Sequence, residues 1–371
     1  MILKNASVFV DGIFRDVDIR VETNKITEIG KGLAGEDSID CQGKYIIPGM
    51  VEIHSHGCLG YDFCMASAQE ISEMRAYYAT HGTTSLLATV MTSGKDKLKE
   101  AMRQIKPITH TDENVTRIMG INLEGPFFDE AKKGAHDADC LLPLDEKFFD
   151  ELNALSGDNI RLLDVDPTLE NAMEFIQKYA KKMTVSIAHT TCDYELANKA
   201  IEAGATHVTH LFNAMNGLHH REPGIIGAFS DNDINAELIC DGFHVHPSVI
   251  RLMYKSDGEK ILLISDSISA MGLPDGAYVS GGLDIFVENG EAKLKNGTIA
   301  GSTITLFEGL RRVISYGVPV EQAILGATLR PAKAVGIDEY VGSIEEGKYA
   351  DLLITDKDFH LEQVMMNGTI I

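Results

Sequence analysis

No apolar run in the chain approaches the ~18 residues needed to cross a bilayer, so a membrane-spanning helix is not expected. Positive charge is also scarce. Thirty-three Lys and Arg stand against 55 Asp and Glu, a formal net charge of -22 that disfavours sequence-independent attraction to nucleic acid or anionic membrane. An anionic substrate must therefore find positive charge within its own site. The six cysteines (Cys41, Cys58, Cys64, Cys140, Cys192, Cys240) include no Cys-x-x-Cys pair and are too sparse for a disulfide scaffold. They read as reduced, mostly packing thiols of a cytoplasmic protein. The opening Met1-Ile2-Leu3-Lys4-Asn5 does not resemble a secretory signal. Internal repeats, low-complexity tracts and linkers are likewise missing.

What is present is a globular composition, 44% hydrophobic and 24% charged, spread over 371 residues. That exceeds one domain of roughly 100 to 200 residues but suits a barrel of about 250 with a smaller partner. The first fifty residues alternate apolar and polar positions, as in Ser7-Val8-Phe9-Val10 and Asp18-Ile19-Arg20-Val21, broken by Asp11-Gly12 and Thr23-Asn24. This is the pattern of a small antiparallel sheet. From Pro48 the texture changes to short apolar runs separated by helical stretches such as 67–81, 169–182 and 194–204, the mark of β/α units around a parallel sheet. Candidate strands fall at 46–53, 84–90, 117–123, 161–165, 183–188, 206–209, 235–239 and 261–265, and eight close a barrel. The expected fold is α/β: a TIM-like (β/α)8 barrel over residues 49–337, with a hairpin inserted near 282–295. Residues 1–48 and 338–371, strand-like at both chain ends, are expected to build a small β-sandwich domain.

Five of these apolar runs end on a residue with metal-site chemistry: His54 and His56, Glu124, His189, His210, and Asp266. In His54-Ser55-His56 the two imidazoles share one face of an extended segment and can grip one ion. Glu124 follows an apolar strand and precedes Gly125-Pro126, so it needs a cation or a donor to stay charged. His189 and His210 are neutral nitrogen donors suited to zinc, iron and related ions. Asp266 sits at the mouth of the last strand, where a carboxylate can pass a proton from water to a leaving amine. Singly, each reads as well as a loop histidine, a surface acid or a helix cap. Together, at the strand ends where a parallel barrel carries its active site, they read as one metal-hydrolase centre.

The arrangement resembles the amidohydrolase superfamily, and within it the N-acetylglucosamine-6-phosphate deacetylases. The resemblance runs from Pro48-Gly49-Met50-Val51-Glu52-Ile53-His54-Ser55-His56-Gly57 to Gly347-Lys348-Tyr349-Ala350-Asp351-Leu352. Its narrower parts are Leu123-Glu124-Gly125-Pro126-Phe127, Lys133-Gly134-Ala135-His136, Thr209-His210-Leu211-Phe212-Asn213-Ala214-Met215, Arg221-Glu222-Pro223-Gly224, Asp241-Gly242-Phe243-His244 and Ile299-Ala300-Gly301-Ser302. It implies that Glu124, His189 and His210 hold a divalent metal and that Asp266 is the acid/base. His136 would contact the N-acetyl group, with Ala135 and Ala300 also against the substrate. Asn213 and the backbone of Ala214 would bind a sugar phosphate, and Arg221 and His244 would complete that pocket from a neighbouring subunit of a homodimer. His54 and His56 make a second ion feasible, so one or two ions per subunit are expected. Zinc comes first, with Fe2+, Mn2+ and Co2+ suiting the same ligands.

Three departures from the family pattern, Val165-Asp166-Pro167-Thr168 after the fourth strand, Ala188 before His189 and Ser267 after Asp266, leave the hexosamine epimer open. An enzyme opening a cyclic amide would share the ligands but normally places a lysine after the fourth strand, which this chain lacks. A non-catalytic sugar-phosphate sensor would be expected to have lost Asp266 or a ligand. Residues 129–144, around His136, are a candidate lid.

Overall fold

A computed structural model describes residues 1–371. Eight parallel strands form the barrel: Met50–Ser55, Thr83–Met91, Arg117–Glu124, Ile160–Val165, Thr184–Ile187, His207–Val208, Asn235–Ile239 and Ile261–Ile264, each hydrogen-bonded to its neighbour in sequence. Helices pack between successive strands because their sequences carry one apolar face. In Lys95–Ile105 the buried residues Leu98, Ala101, Met102 and Ile105 fall at helical spacing. Ala68–Thr80 starts on a capping box, in which the Ser67 backbone N–H donates to Glu70 Oε2 at 2.7 Å and the Glu70 N–H to Ser67 Oγ at 3.4 Å. No helix is long and apolar enough to cross a membrane.

The expected first strand, 46–53, is two strands in the structure. Tyr45–Pro48 belongs to a separate sheet and Met50–Ser55 to the barrel. The break is forced at Pro48-Gly49. Proline has no N–H for a ladder, and the Thr84 side chain lies so close to Gly49 that a Cβ there would overlap it. Between the eighth strand and the first, the barrel closes through the chain just beyond its last strand. Asp266 N–H donates to the His54 carbonyl at 3.0 Å, His56 N–H to the Ser267 carbonyl at 2.7 Å, and Ser265 N–H to Glu52 Oε2 at 3.0 Å. Ser55 and Ser267 hydroxyls meet at 2.6 Å across this seam. Ser267, one of the departures noted above, is thus part of the closure.

Strands Ile2–Val10, Ile13–Glu22, Lys25–Gly30, Ser38–Asp40, Tyr45–Pro48, Leu352–Thr355, Leu361–Met366 and Thr369–Ile370 form the other large sheet, which wraps a core of Leu3, Val8, Ile19, Ile46, Leu352 and Met365. After the eighth barrel strand, Gly276–Ser280, Leu283–Glu288 and Glu291–Leu294 make a three-stranded antiparallel sheet. Its tight turn at Asn289-Gly290 uses positive φ at both residues, 52° and 76°.

The sheet built from both chain ends is clamped to the barrel by Arg117, 2% exposed at the start of the third barrel strand. Its guanidinium pairs with the buried Asp351 and lies 3.8 Å over the Tyr349 ring. Removing one member of such a pair strands the other charge. Arg117→Met is therefore expected to lower stability by about 3–5 kcal/mol, and Arg117→Met with Asp351→Leu to recover most of the loss. Urea unfolding of the three proteins measures this, and a double variant no more stable than the single one would refute it.

Candidate active site

At the C-terminal mouth of the barrel five imidazoles turn Nε2 toward one carboxylate. Glu124 Oε1 lies 3.3 Å from His54, 3.2 Å from His189 and 3.3 Å from His210; Oε2 lies 3.3 Å from His56 and 3.4 Å from His136. Asp266 Oδ1 joins from the opposite side, 3.1 Å from His56 Nε2 and 3.7 Å from His54 Nε2. All seven residues are buried. The structure thus brings together every residue that the sequence placed at a strand end, and adds His136 from the loop after the third strand.

The backbone is bent to achieve this. His189, His210 and Asp266 have φ of 46°, 29° and 47°, the left-handed region that non-glycine residues enter at a cost of roughly 1–3 kcal/mol each. Such strain is tolerated where it aims side chains inward from a strand end. Phe212 and Ala214 repeat it at 81° and 51°, curling the segment after the sixth strand over the cavity. Gly134 sits where a side chain would crowd the His189 ring, 3.3 Å from its Cε1.

Burial lowers the pKa of His189 to about 4, helped by the neighbouring His136, so its ring is neutral with a lone pair free for a metal. Burial alone would raise the Glu124 pKa, but His136, His54 and His56 outweigh it and hold the carboxylate well below its usual range. Two buried atoms at the centre, His54 Nε2 and Glu124 Oε2, make no hydrogen bond of good geometry. Imidazole nitrogens and carboxylate oxygens converging on such atoms are the donor set of a divalent cation, and the residues fit one.

The cluster floors a cavity of about 380 Å³. Ala135, His136, Asn213, Ala214, His244 and Ala300 all line it, together with Met91, Lys132, Ser280 and Ile285. One expectation is corrected here. His244 was expected to reach a neighbouring subunit's site, but it lines the cavity of its own chain, with its Nδ1 2.6 Å from Asp241 Oδ2. Arg221 is not at this cavity; it lies on an exposed turn with its guanidinium 2.7 Å from His220 Nε2. Within 129–144, Ala131, Lys132 and Gly134–His136 line the cavity, and so does part of the inserted three-stranded sheet.

Four acids beneath or beside the site were not singled out from sequence. Glu237 accepts from His54 and the His210 backbone, Glu52 from His54 N–H and Ser265 N–H, Asp164 from Thr209, and Asp241 from His244. Burial pushes Glu52 up to about 7. For Glu237 the available signal was an acid inside a mostly apolar strand, Asn235-Ala236-Glu237-Leu238-Ile239.

Comparison with known proteins agrees with this geometry. A sequence model described as the Amidohydrolase family matches residues 45–371. The N-acetylglucosamine-6-phosphate deacetylase of Vibrio furnissii is 34% identical over 329 residues, 88% of this chain and 82% of that protein. The N-acetylgalactosamine-6-phosphate deacetylase of Escherichia coli O157:H7 is 31% identical over 328 residues, 88% of this chain and 87% of that one. The crystal structure of N-acetylglucosamine-6-phosphate deacetylase from Pasteurella multocida superposes with a TM-score of 0.94 at 29% identity, covering 100% of this chain and 99% of its own. Matched from Tyr45 to its last residue, and with a cluster of imidazoles and carboxylates at the mouth of its barrel, the chain belongs to the amidohydrolase family, whose members are metal-dependent.

Proposed function

We propose that the protein hydrolyses the acetamide of N-acetylglucosamine 6-phosphate, giving glucosamine 6-phosphate and acetate. The observation that carries this reading is the convergence of five imidazoles and Asp266 on Glu124 at the floor of a cavity whose other wall holds Asn213, Ala214 and His244. The relatives of that activity cover most of the chain. A second epimer, N-acetylgalactosamine 6-phosphate, is the alternative, because a relative named for it is nearly as similar.

In this reading Glu124, His189 and His210 would hold the catalytic ion, and His54 and His56, with Glu124, could hold a second one. Zinc is the first choice for such nitrogen and oxygen ligands. When bound, the ion supplies Lewis acidity, making water a nucleophile near neutral pH and polarising the acyl oxygen. Asp266 Oδ1 takes the proton of the attacking water and returns it to the amide nitrogen as the bond to the acyl carbon breaks. His136 donates to the acyl oxygen as charge builds on it. Across the cavity, Asn213, the Ala214 N–H and His244 hold the phosphate, fixing the sugar so that its acetamide meets the acids. Arg221 reaches the phosphate of a neighbouring copy in a homodimer, where its planar fork of donors suits the anion.

Acetate release from the two phosphorylated epimers and from unphosphorylated N-acetylglucosamine tests the assignment. Turnover confined to a phosphorylated sugar is expected. Equal turnover without phosphate would remove the sugar-phosphate reading. His244 adds a pH dependence. Burial alone would lower its pKa, but the bond and charge of Asp241 outweigh burial and raise it above 6.5. The cation that binds phosphate therefore persists above the ordinary histidine range and is lost as pH rises through the raised value. KM should climb at that pH, and in Asp241→Asn the climb should begin at lower pH. Identical KM profiles for the two proteins would rule out this role for His244.

A further inference from the structure

Glu237 takes no part in the chemistry above and does not line the cavity, yet it is wholly buried on the seventh barrel strand. Its two oxygens face three donors. Oε2 lies 2.9 Å from His54 Nδ1 and accepts from the His210 backbone N–H at 3.1 Å, and Oε1 lies 3.1 Å from His207 Nε2. His54 stands on the first strand and His210 just beyond the sixth, so one carboxylate on the seventh strand ties together two segments that carry candidate ligands. With its Nδ1 turned to Glu237, the His54 ring presents Nε2 to Glu124 at 3.3 Å, the nitrogen whose lone pair a bound ion would take. An anionic partner on the far nitrogen also makes that lone pair more basic.

We propose that Glu237 is a positioning residue of the metal centre, setting through His54 and His210 how tightly it binds a divalent cation. The proposal rests on the ligand assignment given above. The competing account makes Glu237 a buried mate for His207, serving the fold alone. Two of its three contacts go to ligand residues, and only the third to His207, which favours the positioning role.

The test uses the full chain, stripped of metal by chelation and titrated with Zn2+ by calorimetry, with the Co2+ visible absorption spectrum as a second signature. Glu237→Gln keeps the shape and loses the charge. Its Zn2+ dissociation constant is expected to rise about 10–100-fold, the range for loss of an outer partner, and its Co2+ bands to shift. Glu237→Asp should recover part of the loss, and His207→Gln should bind as the parent does. Should Glu237→Gln fail to fold, the Asp variant against the parent decides. Parent-like affinity and spectrum in the Glu237 variants would overturn the proposal, and so would a His207→Gln protein weakened as much as Glu237→Gln. Glu124→Gln separates the two readings: a parent that binds no more ion than Glu124→Gln removes the metal site and this proposal together.

Discussion

Asp266→Asn is expected to lower kcat for acetate release by about 10²–10⁴-fold with little change in KM, the range for loss of a positioned proton carrier. Asparagine has nearly the same shape and keeps an oxygen 3.1 Å from His56, so the site remains built, but its amide cannot take a proton from water at neutral pH. Steady-state kinetics on the chelator-stripped and reloaded protein measures the effect. Metal content on the same sample is essential, because Asp266 is also within ligand distance of His54 and His56. A variant that holds its metal and turns over within about tenfold of the parent would eliminate Asp266 as the proton carrier.

Glu124→Gln should be at least as severe, for a different reason. Every imidazole of the site faces this one carboxylate, and the substitution removes the only negative charge they all share. Glutamine also turns an NH2 toward nitrogens that must present lone pairs to an ion. Ion affinity should fall by more than the ~10–100-fold that an outer partner contributes, leaving activity that excess Zn2+ does not restore. Elemental analysis after gel filtration reads the outcome. Stoichiometric metal in this variant would mean that Glu124 is not the hub of the centre.

The barrel and the histidines and acids gathered at its mouth were legible in the sequence because both depend on local pattern. An apolar run followed by His, Glu or Asp marks a strand and its mouth without knowledge of what lies across the barrel. The split at Gly49 was less visible, since Ile46-Ile47 and Val51-Glu52-Ile53 read as one run until Thr84 is seen against the glycine. Glu237 and Asp164 were hidden for a related reason. Each lies within an apolar strand, and its value depends on partners contributed by other strands: His54 and His207 for Glu237, Thr209 for Asp164. His244 misled the reading because the motif Asp241-Gly242-Phe243-His244 specifies the pair but not the direction in which Asp241 turns the ring.

The seam that closes the barrel carries a consequence for how the protein comes into being. Asp266 is brought beside His54 only when residues 212 positions apart, Ser55 and Ser267, meet across it. During synthesis a nascent chain could complete seven strands, with Glu124, His189 and His210 already made, and still own no proton carrier beside its histidine pair, so catalytic competence should arrive in one late step. Fragments ending before Asp266 would be inert however well their helices pack, and a split within the seam should prove far less forgiving than one in an exposed loop.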